Sequence, residues 1–215
     1  MRKNHPILEL IAEGEHQQLD FKFEISDSKK IARTLSAFAN TDGGTLLIGV
    51  KDNGNIAGIR SEEEYYMLEA ASEMYCRPKV AFTAKEWNMD GKVVLEVKIG
   101  ISHEKPHKSP DKDDNYKTYI RIADENFIAP EVLEIAWTKI AELQGRHIKI
   151  TAPVRKLLNY LDEHQHISLN QFRKIARISY YTARNILSDL LAINAIGYQM
   201  IDKKIVYGIP EERKG

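Results

Sequence analysis

Apolar and polar positions follow two different periods along the first 130 residues. Residues 19–23 alternate apolar and polar side chains, which predicts a strand, and residues 45–50 form an apolar run typical of a strand buried on both faces. Between them, residues 29–40 carry an apolar stripe at helical spacing, with Ser28 as the predicted N-cap. Further helices are predicted at 7–11, 62–75 and 130–143, and further strands at 80–87, 93–99 and 116–122.

Turn signals join several of these strands as hairpins. Asn53-Gly54 is predicted to turn the apolar run into a second hairpin strand at 56–59, and Asp90-Gly91 separates the strands 80–87 and 93–99. Residues 102–115 have no periodicity and are predicted to form a loop. Because helices and hairpin-connected strands are mixed, the pattern favours an α+β fold with a mixed or antiparallel sheet and flanking helices.

The last third of the chain is helical first and then extended. Helices are predicted at 154–164, 169–176 and 180–192, and strands 197–201 and 205–209 flank a charged tip at Asp202-Lys203-Lys204. Three helices followed by a hairpin resemble a winged helix-turn-helix domain. We therefore predict a first domain at 1–128, a connecting helix within 129–147 and a small winged helix domain at 148–215.

Charge is distributed unevenly, although the chain as a whole is neutral with 31 basic and 31 acidic residues. Residues 148–215 contain 11 Lys and Arg against 6 Asp and Glu, whereas residues 1–147 contain 20 against 25. A basic C-terminal domain indicates either a polyanionic partner such as nucleic acid or only a charged surface that keeps the protein soluble. No apolar run reaches the length of a membrane span or a signal peptide, and the single Cys76 cannot form an internal disulfide, so we expect a cytoplasmic protein.

One combination of motifs in the first domain is specific. Leu19-Asp20-Phe21-Lys22 is followed by Asn40-Thr41-Asp42-Gly43-Gly44, and the buried strand after it closes on Asp52-Asn53-Gly54. Over about residues 9–128 the sequence resembles the AlbA-2 domain, a module associated with nucleic-acid binding in many bacterial regulators and in the N-terminal part of Schlafen proteins. The resemblance implies a bacterial transcriptional regulator.

The same resemblance implies candidate catalytic residues. Schlafen relatives that cleave RNA carry a three-carboxylate metal site in this region; Glu15 and Asp20 match the spacing of two ligands, and Asp52 matches the third. Asp20 stands where Glu is more usual. These carboxylates would hold Mg²⁺ or Mn²⁺, and Lys22 would neutralise charge on the phosphate. The alternative is that they are ordinary surface charges and that Asp52 only builds a turn.

Two further segments of the first domain have alternative interpretations. The turn at 40–44 either exposes amides to a phosphate or only connects a helix to a strand, and it lacks the lysine of a P-loop, so no nucleotide cofactor is expected. The loop 102–115 is either a mobile surface segment or a basic phosphate-contacting one. Its candidate contacts are Lys105, His107 and Lys108, together with Lys117 and Arg121 on the following strand.

In the winged helix interpretation, the helix 180–192 enters the major groove. Ala183, Ile186, Leu187 and Leu190 are expected to face the core. The remaining positions carry side chains suited to phosphates and base edges, and the hairpin tip adds two cations. The candidate nucleic-acid contacts are Ser179, Tyr180, Tyr181, Thr182, Arg184, Asn185, Ser188, Lys203 and Lys204.

The favoured hypothesis is a nucleic-acid-binding regulator that prefers DNA to RNA and acts as a homodimer on a palindromic site. Two alternatives remain at this point: a metal-dependent endoribonuclease of the Schlafen type, and a dimerising protein-interaction module. No cofactor is expected apart from Mg²⁺ or Mn²⁺ in the nuclease hypothesis.

Overall fold

Two strands that are separated by a helix along the chain pair in parallel in the main sheet of the first unit. The computed structural model describes residues 5–142 and 149–210, and the chain divides into units Met1–Ala129 and Pro130–Gly215. In chain order, the elements of the first unit are α1 (Pro6–Glu13), β1 (Leu19–Lys22), α2 (Ser28–Asn40), β2 (Gly44–Ile48), α3 (Glu63–Tyr75), β3 (Phe82–Met89), β4 (Lys92–Ile99), β5 (Lys108–Pro110), β6 (Tyr116–Ile122) and β7 (Glu125–Ile128).

The main sheet of the first unit has the strand order β1-β2-β4-β3. β1 and β2 are parallel, with Asp20 opposite Leu46, while β4 pairs in antiparallel fashion with both β2 and β3. One apolar core joins the sheet to α2 and α3, and a second core, around Phe21 and Leu47, includes Ile7 from α1. Strands β5, β6 and β7 form a second, antiparallel sheet beside α2. The predicted α+β fold with mixed and antiparallel sheets is confirmed.

Local departures from the predictions have simple causes. Asp27, not Ser28, caps α2, because its carboxylate accepts a hydrogen bond from the Lys29 amide. Strands β5 and β7 were not predicted, since three and four residues are too short to show a period. Residues 56–59 form only one bridge, between Val50 and Ile56, instead of a full hairpin strand.

The second unit contains four helices and one hairpin within the described residues. They are α4 (Glu131–Glu142), α5 (Ala152–Glu163), α6 (Leu169–Ala176), α7 (Tyr180–Ala192), β8 (Gly197–Ile201) and β9 (Lys204–Gly208). Leu157, Phe172 and Leu187 are fully buried in one core with Tyr207 of the hairpin. α4 lies in this unit and packs against α7, and position 143, the last of the predicted helix, falls outside the described residues. None of the helices described is both long and apolar enough to cross a membrane.

Candidate nucleic-acid interface

A tight turn positions α7 directly after α6. Ser168 and Gln171 form a reciprocal capping box at the start of α6, and Arg177 ends it in the left-handed conformation with φ 55°. The Ser179 hydroxyl then accepts a hydrogen bond from the Thr182 amide and caps α7. The sequence thus stops one helix and starts the next within three residues, which leaves the N-terminal turn of α7 and its positive dipole at the surface.

The first turns of α7 present the predicted polar and aromatic side chains. Tyr181 is 67% exposed and Tyr180 is 40% exposed, and their rings meet edge to face at 5.8 Å. Thr182 and Asn185 are exposed as well. These four residues were predicted as nucleic-acid contacts, and their accessibility is compatible with that role.

Two other residues predicted on the same surface are not available there. Ser188 is completely buried, and its hydroxyl donates to the backbone carbonyls of Val132 and Arg184. Arg184 is mostly covered and forms an ion pair with Glu131 of α4. The prediction that Ser188 contacts nucleic acid is therefore wrong, because α4 covers a face of α7 that the helical periodicity alone leaves open.

Exposed basic side chains form two groups outside α7 in the second unit. Lys203 and Lys204 are exposed at the hairpin tip, where Asp202 and Lys203 adopt positive φ angles of 49° and 59° in the tight turn. A second group, comprising Arg173, Lys174 and Arg177, is exposed at the end of α6 and in the following turn. This second group was not predicted, although three cations within five residues before the capped helix are a visible signal.

In the first unit, the candidate catalytic carboxylates have different environments. Asp20 is buried and accepts a hydrogen bond at 3.2 Å from Arg121, while Lys22 Nζ lies 2.8 Å from its other oxygen. Glu15 accepts a hydrogen bond from the Phe21 amide at 2.9 Å. Burial raises the pKa of Glu15, and the neighbouring Asp20 raises it further, against the opposing effect of the Phe21 amide. Asp52 is exposed in the turn after β2.

These residues do not fit a metal ion. Within residues 5–142 and 149–210, no three His, Cys, Asp or Glu side chains are placed together so that they could hold one. Asp20 already has two cationic partners, and Lys22 also donates to the Phe21 carbonyl at 2.7 Å. Glu15 and Asp20 do interact with each other, but the predicted cluster of all three carboxylates, Glu15, Asp20 and Asp52, is not found. Arg121, predicted as a phosphate contact, is 1% exposed inside the unit.

The turn at 40–44 and the loop after β4 are bound to each other. Asn40 donates from its amide to the carbonyls of His107 and Tyr119, and its side-chain oxygen accepts the His107 amide, each at 2.8 Å. The His107 ring is buried between the Pro78 carbonyl and the Ser102 hydroxyl, and burial lowers its pKa. His107 therefore has a structural environment that is not accessible to phosphate.

Lys105 and Lys108, the two lysines predicted as phosphate contacts in this loop, are less accessible than the sequence suggested. Lys105 Nζ lies 3.3 Å from the Thr41 carbonyl, and burial lowers the pKa of its ammonium. Lys108 is partly buried in β5, and Lys117 is exposed on β6. The amides of Thr41 and Gly43 donate to carbonyls at the end of α2, so this turn acts as a helix-to-strand connection.

A Cβ atom at position 44 would lie 2.4 Å from the Phe38 ring, which explains the second glycine of the turn. Gly43 has φ 67°, and a Cβ there would lie 2.7 Å from the Ile99 carbonyl. Both glycines are therefore required by close backbone packing between α2, β2 and β4.

The comparison with protein-family models agrees with the sequence motif. Residues 15–130 match the family model described as "Schlafen, AlbA_2". The DIP2311 protein from Corynebacterium diphtheriae has a similar region with 20% identity and a TM-score of 0.44, over 57% of this chain and 24% of that one. The N-terminal domain of a RecG-related protein from Nitrosomonas europaea has 21% identity and a TM-score of 0.38, over 69% of this chain and all of that domain.

This chain thus spans about a quarter of the DIP2311 protein. The chain matches no curated protein. The family model, by contrast, covers just over half of the 215 residues and includes the motif from Asp20 to Gly44. On this basis the protein belongs to the Schlafen AlbA_2 family.

Proposed function

We propose that this protein is a cytoplasmic DNA-binding transcriptional regulator whose second unit contacts DNA as a winged helix. The observation that carries the proposal is the accessible start of α7, where Tyr181, Thr182 and Asn185 are exposed, in a unit that also has two groups of exposed cations. In this interpretation α7 lies in the major groove, and the hairpin β8–β9 lies beside it as the wing.

The chemical roles follow from the residue types. Arg173, Lys174 and Arg177 would bind the phosphates beside the groove, and Lys203 and Lys204 would bind those near the wing. These contacts position the protein without reading sequence. Asn185 has the donor and acceptor pair that suits an adenine edge, and the Tyr181 and Thr182 hydroxyls suit phosphates or base edges.

The charge of the second unit supports a polyanionic partner. Residues 130–215 contain 13 Lys and Arg against 9 Asp and Glu, whereas residues 1–129 contain 18 against 22. A single unit of this size offers a small contact area, so we propose a homodimer that places two α7 helices on a palindromic DNA site. The family membership of the first unit supports the same class of partner.

The decisive experiment is a titration of labelled duplex DNA and of single-stranded RNA with the full chain. Each titration is run at two salt concentrations, with and without Mn²⁺, and product lengths are read from the same samples. We expect duplex binding that weakens with salt and leaves the DNA intact, because phosphate contacts release counterions. Light scattering on the free protein tests the dimer.

Two outcomes would replace the proposal. Mn²⁺-dependent shortening of RNA that is lost in Asp52→Ala would favour the nuclease, even though Glu15, Asp20 and Asp52 do not form a three-carboxylate metal cluster in the structure. If neither nucleic acid binds at low salt, a protein-interaction module becomes the better hypothesis, and the exposed Tyr180 and Tyr181 are then its first candidate contacts.

A further inference from the structure

Helix α4 packs against one face of α7 and makes several polar contacts with it. Glu131 pairs with Arg184, the Val132 carbonyl accepts the Ser188 hydroxyl at 3.1 Å, and Lys139 Nζ lies 2.7 Å from Asp189. Arg184 and Ser188 are four residues apart and therefore lie on the same face of α7. That face adjoins the exposed one, because Tyr181 precedes Arg184 by three residues on the helix.

Arg184 is the cation that α7 would otherwise offer to DNA. The sequence from Tyr180 to Ala192 contains no other Lys or Arg. The Arg184 side chain is only 16% exposed, and its Nε is buried without a hydrogen-bond partner among the described residues. Its guanidinium carbon lies 5.2 Å from the centre of the Tyr181 ring, which borders the exposed face. A change of side-chain rotamer would therefore bring the guanidinium to that face.

We infer that Glu131 sets the DNA affinity of the second unit by holding Arg184 away from the DNA-contacting face of α7. The inference rests on the proposed function of that face. Arginine is the side chain best suited to a guanine edge or a phosphate, and it cannot lose its charge at any physiological pH. When Arg184 is paired with a carboxylate, its N–H donors are occupied and its positive charge is neutralised. The protein with this ion pair intact therefore binds DNA less tightly than the protein with an unpaired Arg184.

The Glu131–Arg184 ion pair is suited to controlling DNA affinity because its two side chains differ in exposure. The Glu131 side chain is 53% exposed, whereas Arg184 is mostly covered. Replacing Glu131 by Gln removes the negative charge at an accessible position and leaves the packing of Val132 and Ser188 in place. In this variant the buried Arg184 guanidinium has no charged partner. A conformation that exposes the guanidinium at the edge of α7 is then more favourable than the buried one.

The test is a cycle of four full-length proteins titrated with the same labelled duplex DNA: wild type, Glu131→Gln, Arg184→Gln and the double variant. We expect Glu131→Gln to bind about tenfold more tightly, with a salt slope that is steeper by about one. Arg184→Gln alone should bind like the wild type, since Arg184 is not at the interface in the paired state. The double variant should return to the affinity of the wild type.

A matched control separates this effect from a general change of charge. Glu163→Gln removes the same charge from the exposed end of α5 and should change the affinity less than twofold. Thermal unfolding of each variant checks the fold, and Arg184→Gln tests the inference separately if Glu131→Gln is unstable. If Arg184→Gln alone weakens binding tenfold, Arg184 already contacts DNA and the inference is overturned while the proposed function stands. If no variant and no wild-type protein binds DNA, both fail.

Discussion

The Arg121 guanidinium lies 3.2 Å from the Asp20 carboxylate inside the first unit, and these side chains are 1% and 5% exposed. Arg121 also donates to the carbonyls of His16 and Leu19, and its guanidinium stacks on Phe38 at 4.8 Å. The pair therefore connects β1 to β6, and Asp20 serves as a fixed acceptor in the interior.

Replacing Arg121 by Met should strongly destabilise the first unit. The substitution leaves the buried Asp20 carboxylate with Lys22 as its remaining cationic partner, and the His16 and Leu19 carbonyls lose their hydrogen bonds from Arg121. Breaking a buried pair of this kind costs about 3–5 kcal/mol. Urea denaturation would measure the decrease in the free energy of unfolding.

The matched control for Arg121 is Lys117→Met on the same strand, because Lys117 is exposed. Lys117→Met should change the free energy of unfolding by no more than about 0.5 kcal/mol. Equal stability of the two variants would show that Arg121 does not carry the structural role assigned to it.

Asn40 should be nearly as sensitive, although it is uncharged. Asn40→Ala removes three buried hydrogen bonds and leaves the amide and carbonyl of His107 and the Tyr119 carbonyl without partners. Buried groups left in this way cost about 1–3 kcal/mol each, so we expect a loss of about 3 kcal/mol once the structure relaxes. Thermal or urea unfolding measures this loss of stability, and Asn55→Ala at an exposed position is the control. A decrease in the free energy of unfolding of less than about 1 kcal/mol for Asn40→Ala would contradict the prediction.

His107 should make the protein less stable as the pH falls below neutrality. Burial lowers the pKa of His107 in the folded protein, so below roughly pH 6.5 the unfolded chain binds a proton that the folded one does not. No such loss occurs above that pH, because the imidazole is then neutral in both states. The Pro78 carbonyl accepts a hydrogen bond from Nδ1, and the neutral Nε2 accepts one from the Ser102 hydroxyl; after protonation Nε2 donates instead, and the hydroxyl must turn to accept.

The check compares the wild type with His107→Asn, whose amide can still donate to the Pro78 carbonyl. Unfolding free energies at pH 7.5, 6.5 and 5.5 should fall more steeply in the wild type, by up to about 1 kcal/mol per pH unit. Glu15 is present in both proteins, and its raised pKa acts in the opposite direction, so the difference between the two proteins isolates His107. Parallel curves would rule out the predicted role of His107.

The cations beside α7 should control DNA affinity without affecting stability. We expect Arg177→Ala, and separately the pair Lys203→Ala and Lys204→Ala, to weaken duplex binding several-fold and to reduce the salt slope by about one for each phosphate that is no longer bound. The effect should be similar for unrelated DNA sequences, because phosphates carry no sequence information. Lys156→Ala on α5 removes the same charge and serves as the control. If Lys156→Ala weakens DNA binding as much as Arg177→Ala does, the DNA interface does not lie at α7.

The sequence pattern predicted the helices of the second unit well because each helix has its own apolar stripe. Residues 169–176 and 180–192 were predicted with the bounds observed, since Ser168 and Ser179 are strong local caps. The same local reasoning failed for Ser188 and Arg184. The helical spacing of apolar residues in α7 reveals only the face that packs on the main core. The second buried face of α7 exists because α4 packs against it, and the sequence of α7 alone does not show this.

Arg121 illustrates what could not be predicted in the first unit. In sequence it is a basic residue in a strand of alternating polarity, which suggests an exposed phosphate contact. Its burial depends on partners near residues 16–20, more than 100 positions earlier, and no local pattern contains that information. The short strands β5 and β7 depend in the same way on β6 lying between them.

The separation of 101 residues between Arg121 and Asp20 also affects when the first unit can fold during synthesis. At the usual speed of a ribosome, roughly 5–20 s pass between the addition of Asp20 and that of Arg121. Throughout this time β1 carries a carboxylate that has no arginine to pair with in the interior. The unit should therefore complete its folding only after β6 has left the ribosome, and any fragment that ends before β6 should fail to fold stably.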